Sequence, residues 1–292
     1  MNQENSQYLF CIKCKGKLEL EILHKSSEIN EGFLYCKKCK VKFPIISKIP
    51  VILENLSHFL ENRPSLGGFL LKSAITQTMK LFIKQILSKI KKNDNDFFLT
   101  EKRWTNIYLT NKNSSFYKTI KSHLVKFPSK SLVIEYGSSI GIISNTLAKK
   151  HGRVFGIDTS FSALLEAKKE SQKNCEYILS DVLQHPFGNK KFDLIIALNL
   201  FELVEPVSLL NAISSQIQNG LILLSDPYDY DRGKNSVKRP LDEKQIREKL
   251  TQKKFLITKS TRIPSSVNWS LKINKRTNIV YKVDIISARK SS

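Results

Sequence analysis

The sequence predicts an α/β protein in which a doubly wound, mostly parallel sheet of seven strands follows a small cysteine-containing module. Two observations predict this fold class. Short apolar, β-branched runs alternate with helical stretches from about residue 131 onwards, and such alternation is typical of a parallel sheet with helices on both faces. Two Cys-x-x-Cys pairs stand near the N-terminus, ahead of that alternation.

The chain has 292 residues, which exceeds the usual size of a single domain. We therefore expect three parts: the cysteine module over residues 1–55, a helical linker over residues 56–99 and the large α/β domain over residues 100–292.

The cysteine module has the spacing of a metal site, with Cys11, Cys14, Cys36 and Cys39. Each Cys-x-x-Cys turn presents two thiolates, and two turns complete a tetrahedral set without an open position, which favours structural zinc over catalytic zinc. The alternatives are two disulfides, which a reducing compartment disfavours, and a redox dithiol, which needs only one pair. The fifth cysteine, Cys175, is predicted to be a buried apolar residue.

Short β-rich runs with prolines follow the second cysteine pair, among them Phe43-Pro-Ile45 and Ile49-Pro-Val-Ile52. On these features residues 8–55 resemble the small zinc-ribbon activator family of translation-related methyltransferases, in which glycine is common where Lys48 stands here. The resemblance implies a ribbon that covers an apolar surface of a methyltransferase. Here the ribbon would be fused to that enzyme and would pack on it in cis.

The linker contains a basic amphipathic stretch that predicts one helix from about residue 69 to residue 92. Such a helix can lie on a membrane surface or on RNA, but packing against the next domain is commoner, and we favour packing.

In the large domain the predicted strands end in acidic or polar residues. The first four strand ends carry Glu135, Asp158, Asp181 and Asn199. Helices are predicted between the strands, over residues 142–150, 160–172 and 206–218. Because ligands bind at the carboxyl ends of strands in such sheets, we expect a ligand site at these residues.

The loop after the first strand carries Gly137 and Gly141. Glycine lets the backbone approach a ligand, and the carboxylate of Asp158 can accept hydrogen bonds from both hydroxyls of a ribose. A dinucleotide fingerprint requires glycine at the two positions that Ser139 and Ile142 occupy, which weighs against NAD.

The order and spacing of these residues resemble those of the class I, Rossmann-like S-adenosylmethionine-dependent methyltransferases, over about residues 100–292. The resemblance implies that S-adenosylmethionine is the cofactor. It implies contacts of the methionine part with Glu135, Gly137, Ser139 and Gly141, of the ribose with Asp158, of the adenine with Asp181 and Val182, and of the methyl donor with Asn199. Ser139 departs from the family pattern, because glycine is usual at the loop centre.

Methyl transfer from a sulfonium chiefly requires alignment of the donor and the acceptor, so no protein nucleophile is needed. The candidate catalytic residues are Asn199, Asp226 and Tyr228. Asp226-Pro-Tyr228 follows the fifth strand, where a carboxylate and a phenol can orient an acceptor nitrogen or oxygen. The alternative is a proline turn that closes this strand.

Residues 255–258 and 278–287 are predicted to form a closing antiparallel pair. The segment between them, which includes Trp269 and the basic pair Lys275-Arg276, is interpreted as an insertion suited to stacking a base.

The net charge of +22 would attract a polyanion. The first hypothesis is therefore methylation of RNA or another translation component. The second is methylation of a small molecule, with the charge reflecting compositional bias, and the third is a non-catalytic binding module. We expect no membrane span, because lysines interrupt every long apolar stretch. We also expect a cytoplasmic protein, because the first residues lack the order of a secretory signal.

Overall fold

The structure is a computed structural model that describes residues 1–91, 95–231 and 237–290. Within these ranges no helix is both long enough and apolar enough to cross a membrane. The chain forms two compact units. The first contains Met1–Asn106, Ser139–Gly141 and Ile157–Lys190, and the second contains Ile107–Ser138, Ile142–Gly156 and Lys191–Ser292.

The first unit contains an antiparallel sheet with the strand order β1-β2-β3-β4. Its strands are β1 (Glu19–Lys25), β2 (Ile29–Cys36), β3 (Val41–Ile46) and β4 (Ile49–Pro50). The two residues that join β3 to β4, Ser47 and Lys48, both have positive φ, at 51° and 71°. Such a turn matches the twist of the strands it joins and favours glycine, so Lys48 adopts a conformation that glycine adopts more easily.

The end of this antiparallel sheet meets β7 (Cys175–Leu179), also in the first unit. Val51 forms a parallel bridge with Leu179, and the Ile52 amide donates to the Leu179 carbonyl at 2.8 Å. The Phe10 amide donates to the Pro186 carbonyl at 2.7 Å. The cysteine module is thus hydrogen-bonded to β7 and to the segment that follows it.

The helices of the first unit are α1 (Leu56–Glu61), α2 (Pro64–Ser73), α3 (Gln77–Leu87), the start of α4 (Phe97–Thr110) and α7 (Phe161–Lys169). The single helix predicted over residues 69–92 is wrong, because α2 and α3 are separate; residue 92 lies outside the described residues. The buried carboxylate of Glu31 accepts hydrogen bonds from the amides of Ile75 and Thr76 and from the Thr76 hydroxyl. A buried carboxylate requires such donors. Because the amides of Ile75 and Thr76 donate to Glu31, they cannot donate within a helix, and the helical conformation is interrupted there.

The second unit is built around a sheet in which β12 lies between β10 and β9, followed by β8 and β5. Strands β5 (Leu132–Tyr136), β8 (Phe192–Leu198) and β9 (Ile217–Asp226) run parallel. Strands β10 (Phe255–Ile257) and β12 (Asn278–Lys290) form the predicted antiparallel closing pair. Its helices are α5 (Ser115–Val125), α6 (Ile142–Ala148), α8 (Pro206–Gln216) and α9 (Glu243–Gln252), and β6 (Arg153–Asp158) begins in this unit and ends in the first.

The segment interpreted as a base-stacking insertion contains a strand, β11 (Val267–Lys272), which pairs antiparallel with β12. Trp269 on this strand is only 5% exposed. Its ring packs among those of Tyr108, Phe116 and Tyr281, at centroid distances of 6.2, 5.2 and 5.6 Å. The interpretation is wrong for Trp269, because this side chain belongs to an aromatic core and presents no free face to a base.

Candidate functional site

Glu135 lies near the carboxyl end of β5, as predicted, and is only 3% exposed. Its Oε2 atom accepts hydrogen bonds from the Ser144 amide at 2.8 Å and the Ser144 hydroxyl at 2.5 Å. Ser144 lies in the first turn of α6, where amides lack partners within the helix. The carboxylate is therefore fixed against the start of α6 by donors of its own unit.

The loop from Gly137 to Gly141 takes left-handed backbone conformations at alternate residues. The φ angles are 69° at Gly137, 46° at Ser139 and 74° at Gly141. A Cβ atom at Gly137 would lie 2.6 Å from the Leu200 side chain, and one at Gly141 would lie 2.3 Å from the Tyr177 hydroxyl. Glycine is thus required at both ends of the loop by conformation and by space. At the centre Ser139 also has positive φ, a conformation that glycine adopts more easily than serine.

Asp158 is the last residue of β6, and each of its carboxylate oxygens accepts a hydrogen bond from a backbone amide. Its Oδ2 atom accepts the Ser139 amide at 2.8 Å, and its Oδ1 atom accepts the Ser160 amide at 2.8 Å. Burial raises the pKa of the Asp158 carboxyl, while these amides oppose that shift. Each carboxylate oxygen can accept a second hydrogen bond. The acid therefore holds the centre of the glycine loop and keeps acceptor capacity for hydroxyl donors.

Asp181 and Val182 follow β7, where a short 3₁₀ helix begins. The Oδ1 atom of Asp181 accepts the Leu183 amide at 2.8 Å, and Val182 is buried. Asp181 also lines a pocket of about 610 Å³ in the first unit, together with Lys13, Leu53, Glu54, Asn55, His58, Phe59, Asn62, Arg63 and Gln184. Most of this lining was not predicted, since it comes from the cysteine module and the linker.

Asn199 follows β8 and has a φ of 55°. Its amide donates to the Ser225 carbonyl at 2.6 Å, and its Oδ1 atom accepts the Ser225 hydroxyl at 3.0 Å. Asparagine tolerates the left-handed conformation better than most residues. Asn199 is therefore held in a defined orientation against β9.

The carboxylate of Asp226 is only 1% exposed. One oxygen accepts the Tyr228 amide and the other accepts the Phe201 amide, each at 2.8 Å. Asp226 thus joins the segment after β9 to the segment after Asn199. These contacts make it a residue that positions two loops of the second unit.

The Tyr228 hydroxyl donates to Asp284 at 3.0 Å. Burial and the negative charge of Asp284 raise the pKa of this phenol well above its usual range, so the phenol stays protonated. The buried Arg247 donates to both oxygens of Asp284, at 2.7 and 3.0 Å. Asp284 and Arg247 were not predicted, although an acid between the apolar residues Val283 and Ile285 of a predicted strand was a usable signal.

The four cysteine Sγ atoms of the cysteine module lie within 4.8 Å of one another, and those of Cys14 and Cys36 are 3.5 Å apart. The two pairs share one turn geometry. The Lys15 and Lys40 amides donate to the carbonyls of Cys11 and Cys36, each at 2.8 Å, and both lysines have a φ of 55°. A tetrahedral zinc site has Zn–S distances of about 2.3 Å, so the four sulfurs fit around one ion after small adjustments.

Part of the chain matches a known protein family. Residues 133–220 match the family model described as a methyltransferase domain. The chain thus contains a methyltransferase domain, and the predicted enzyme class, an S-adenosylmethionine-dependent methyltransferase, is confirmed. No curated protein matches the sequence.

Solved structures resemble the chain at low sequence identity. Magnesium protoporphyrin IX methyltransferase from Synechocystis PCC 6803 with bound S-adenosylmethionine is 20% identical, with 65% of this chain and 90% of that chain covered and a TM-score of 0.47. A chain of the complex between the Haloferax volcanii Trm112 methyltransferase activator and a methyltransferase is 14% identical, with 65% and 95% covered and a TM-score of 0.50. The latter likeness supports the predicted α/β methyltransferase fold with a mostly parallel sheet.

Proposed function

We propose that this chain transfers the methyl group of S-adenosylmethionine to RNA or to another component of translation. The observation that carries the methyl-transfer part is the link between the glycine loop and the acid of the next strand, through the Ser139 amide and Asp158. This link supports the proposal, because it would hold a ribose acceptor beside a loop whose glycines allow a ligand to approach the backbone.

The proposed cofactor contacts follow the sequence resemblance. Glu135, Gly137, Ser139 and Gly141 would meet the methionine part, Asp158 the ribose, Asp181 and Val182 the adenine, and Asn199 the methyl donor. Because Ser144 already donates twice to Glu135, we propose that Glu135 acts on the ammonium group through water.

The bound cofactor supplies an activated sulfonium methyl group, so the protein chiefly aligns the acceptor with it. We propose that Asn199 is the residue nearest the transfer, because its side chain is held by Ser225. Asp226 and Tyr228 would contribute by positioning. Asp226 holds the segment after Asn199, and Tyr228 ties the segment after β9 to Asp284.

We propose that Cys11, Cys14, Cys36 and Cys39 hold one structural zinc ion. The four sulfurs satisfy the preference of zinc for four thiolates and leave no position for a substrate. The repeated turn of the two pairs supports a common ligand rather than two separate dithiols.

We further propose that residues 1–55 act as a built-in activator module. Support comes from the hydrogen bonds of Phe10 and Ile52 to Pro186 and Leu179, which place the module against the segment that carries Asp181. In the Haloferax volcanii complex, a methyltransferase activator and a methyltransferase are separate partners. The division into parts at residues 55 and 99 and the cytoplasmic location stay predictions.

The RNA part of the proposal rests on the net charge of +22. The test is the affinity for bulk transfer RNA and ribosomal RNA at several salt concentrations. A protein that neutralises several phosphates should show a steep fall, with a log–log slope of about −0.7 for each phosphate contact on single strands. Weak binding with a shallow slope would favour a small-molecule acceptor instead.

A further inference from the structure

The pocket of about 610 Å³ in the first unit has a lining that the methyltransferase resemblance does not account for. We propose that it takes the adenine of the cofactor and that Phe59 and Arg63 form one wall against which the base stacks. This inference rests on the proposed function. It assigns part of the cofactor site to helix α1 and to the residue that precedes α2, both outside the matched methyltransferase domain.

The wall is rigid. The Arg63 guanidinium carbon lies 3.9 Å from the centroid of the Phe59 ring, and the Nη1 atom of Arg63 donates to the Phe59 carbonyl at 3.3 Å. The Nε atom of Arg63 donates to the Oε1 atom of Glu101 at 2.8 Å, and the Nη2 atom forms an ion pair with the same oxygen at 2.7 Å. The Arg63 and Glu101 side chains are only 15% and 16% exposed. Flat aromatic and guanidinium surfaces of this kind are those on which bases stack.

Asp181 on the same pocket supplies recognition of the base. One of its oxygens accepts the Leu183 amide, which fixes the carboxylate and leaves acceptor capacity for the amino group of adenine. Gln184, also in the lining, donates to Glu54 at 3.2 Å. The segment that carries Asp181 is thus tied to the end of the cysteine module by a side-chain contact within the pocket.

The charge of the lining favours a neutral heterocycle over a phosphate. The fully charged side chains are Lys13 and Arg63 against Glu54 and Asp181, so the formal charges cancel. With Glu101, the ion-pair partner of Arg63, included, two cations face three carboxylates, so no surplus positive charge is left for a phosphate. The volume lies within the range of small-molecule sites, about 300–1,000 Å³.

Glu101 is electrostatically coupled to Asp158, the proposed ribose-binding residue. Burial raises the pKa of Glu101, Arg63 opposes that shift, and the negative charge of Asp158 raises the pKa further. The residue that anchors the wall therefore lies within electrostatic reach of Asp158. The Oε2 atom of Glu101 is buried and has no hydrogen-bond partner among the described residues, and a hydroxyl donor of a ligand would satisfy it.

The test is calorimetric binding of S-adenosylhomocysteine and of adenosine to the full chain and to Phe59→Ala. Loss of a stacking surface should weaken both ligands by about tenfold. Phe97→Ala is the matched control, because the Phe97 ring also lies under Arg63, at 5.6 Å, but is 42% exposed and does not line the pocket. This control should leave both affinities within about twofold, since surface truncations have small effects.

Unchanged affinity of Phe59→Ala, in a wild-type background that binds S-adenosylhomocysteine, overturns the pocket assignment and leaves the proposed function standing. An equal loss in Phe97→Ala also overturns it, because the effect then arises from displacement of Arg63. A wild-type protein that binds neither ligand contradicts the proposed function itself. If Phe59→Ala fails to fold, Phe59→Leu keeps most of the apolar volume and is held to the same outcomes.

Discussion

Substitution of Gly141 by alanine tests the geometry of the glycine loop. In the structure Gly141 has a φ of 74°, and an added Cβ would lie 2.3 Å from the Tyr177 hydroxyl and 2.8 Å from the Ala167 Cβ. All three residues belong to the first unit, and Tyr177 and Ala167 are buried. The contacts are too short for any real Cβ, so either the loop or its neighbours must move.

The expected loss of unfolding free energy in Gly141→Ala is the sum of two destabilising effects and one stabilising effect. The left-handed conformation costs alanine about 1–2 kcal/mol, and overpacking of a buried site costs about 1–3 kcal/mol. The smaller freedom of alanine in the unfolded chain offsets about 0.4–1 kcal/mol of this. We expect Gly141→Ala to lower the free energy of unfolding by about 3 kcal/mol, as measured by urea denaturation, and to weaken S-adenosylhomocysteine binding.

The controls separate steric conflict from a general effect of alanine. Gly68 lies within α2, and a Cβ there would meet nothing within 4 Å. Gly68→Ala should therefore stabilise the protein by up to about 1 kcal/mol. In a Tyr177→Phe background, which lacks the nearest atom, Gly141→Ala should cost less than in the wild type. A loss below about 0.5 kcal/mol for Gly141→Ala would refute the loop conformation described here.

Three further predictions concern the metal, the ribose acid and the second unit. Chelation or Cys36→Ser should unfold residues 8–55, since structural zinc contributes about 10–16 kcal/mol in small modules; a metal-free protein with an unchanged melting curve would exclude the ion. Asp158→Asn should weaken S-adenosylhomocysteine binding about tenfold or more in calorimetry, through loss of charge-assisted hydrogen bonds, with the fold retained by circular dichroism; an unaltered dissociation constant would show that the ribose contact lies elsewhere. Arg247→Met should cost about 3–5 kcal/mol in urea denaturation, because Asp284 is left buried without its counter-charge; a loss below about 1 kcal/mol would contradict the described ion pair.

Much of the fold could be predicted because local pattern and structure agree. Strand β6 (Arg153–Asp158) has the predicted bounds, and β5, β8 and the helices after them differ from prediction by a few residues. Buried parallel strands require continuous apolar runs, and helices between them require a different period, so the alternation is visible in the sequence.

Other features depend on contacts distant in sequence. The break between α2 and α3 is set by Glu31, more than forty residues earlier. The one local sign is Thr76, which caps the N-terminus of α3 by accepting the Met79 amide at 3.2 Å. Strand β11 has an alternating buried and exposed pattern, which is a strand signal. The interpretation of Trp269 as a free aromatic surface overlooked it.

Strand-end acids could be located from the sequence, but their partners could not. Asp226 was predicted to orient an acceptor, and the structure shows both of its oxygens bound to backbone amides. The pocket wall of Phe59 and Arg63 was also missed, since residues of the linker carry no motif. Sequence pattern indicates where chemistry can occur, whereas burial and hydrogen-bond partners decide which groups stay available for it.

The most direct test of the account uses S-adenosylmethionine with a deuterated methyl group. RNA, protein and metabolite fractions from cells that lack this chain are incubated separately with the purified enzyme and analysed by mass spectrometry. We expect a labelled methyl group on a nucleoside of the RNA, and no label with the Asp158→Asn variant. Label confined to the metabolite fraction would contradict the RNA assignment, and absence of label from RNA, protein and metabolites alike would contradict the proposed methyl transfer.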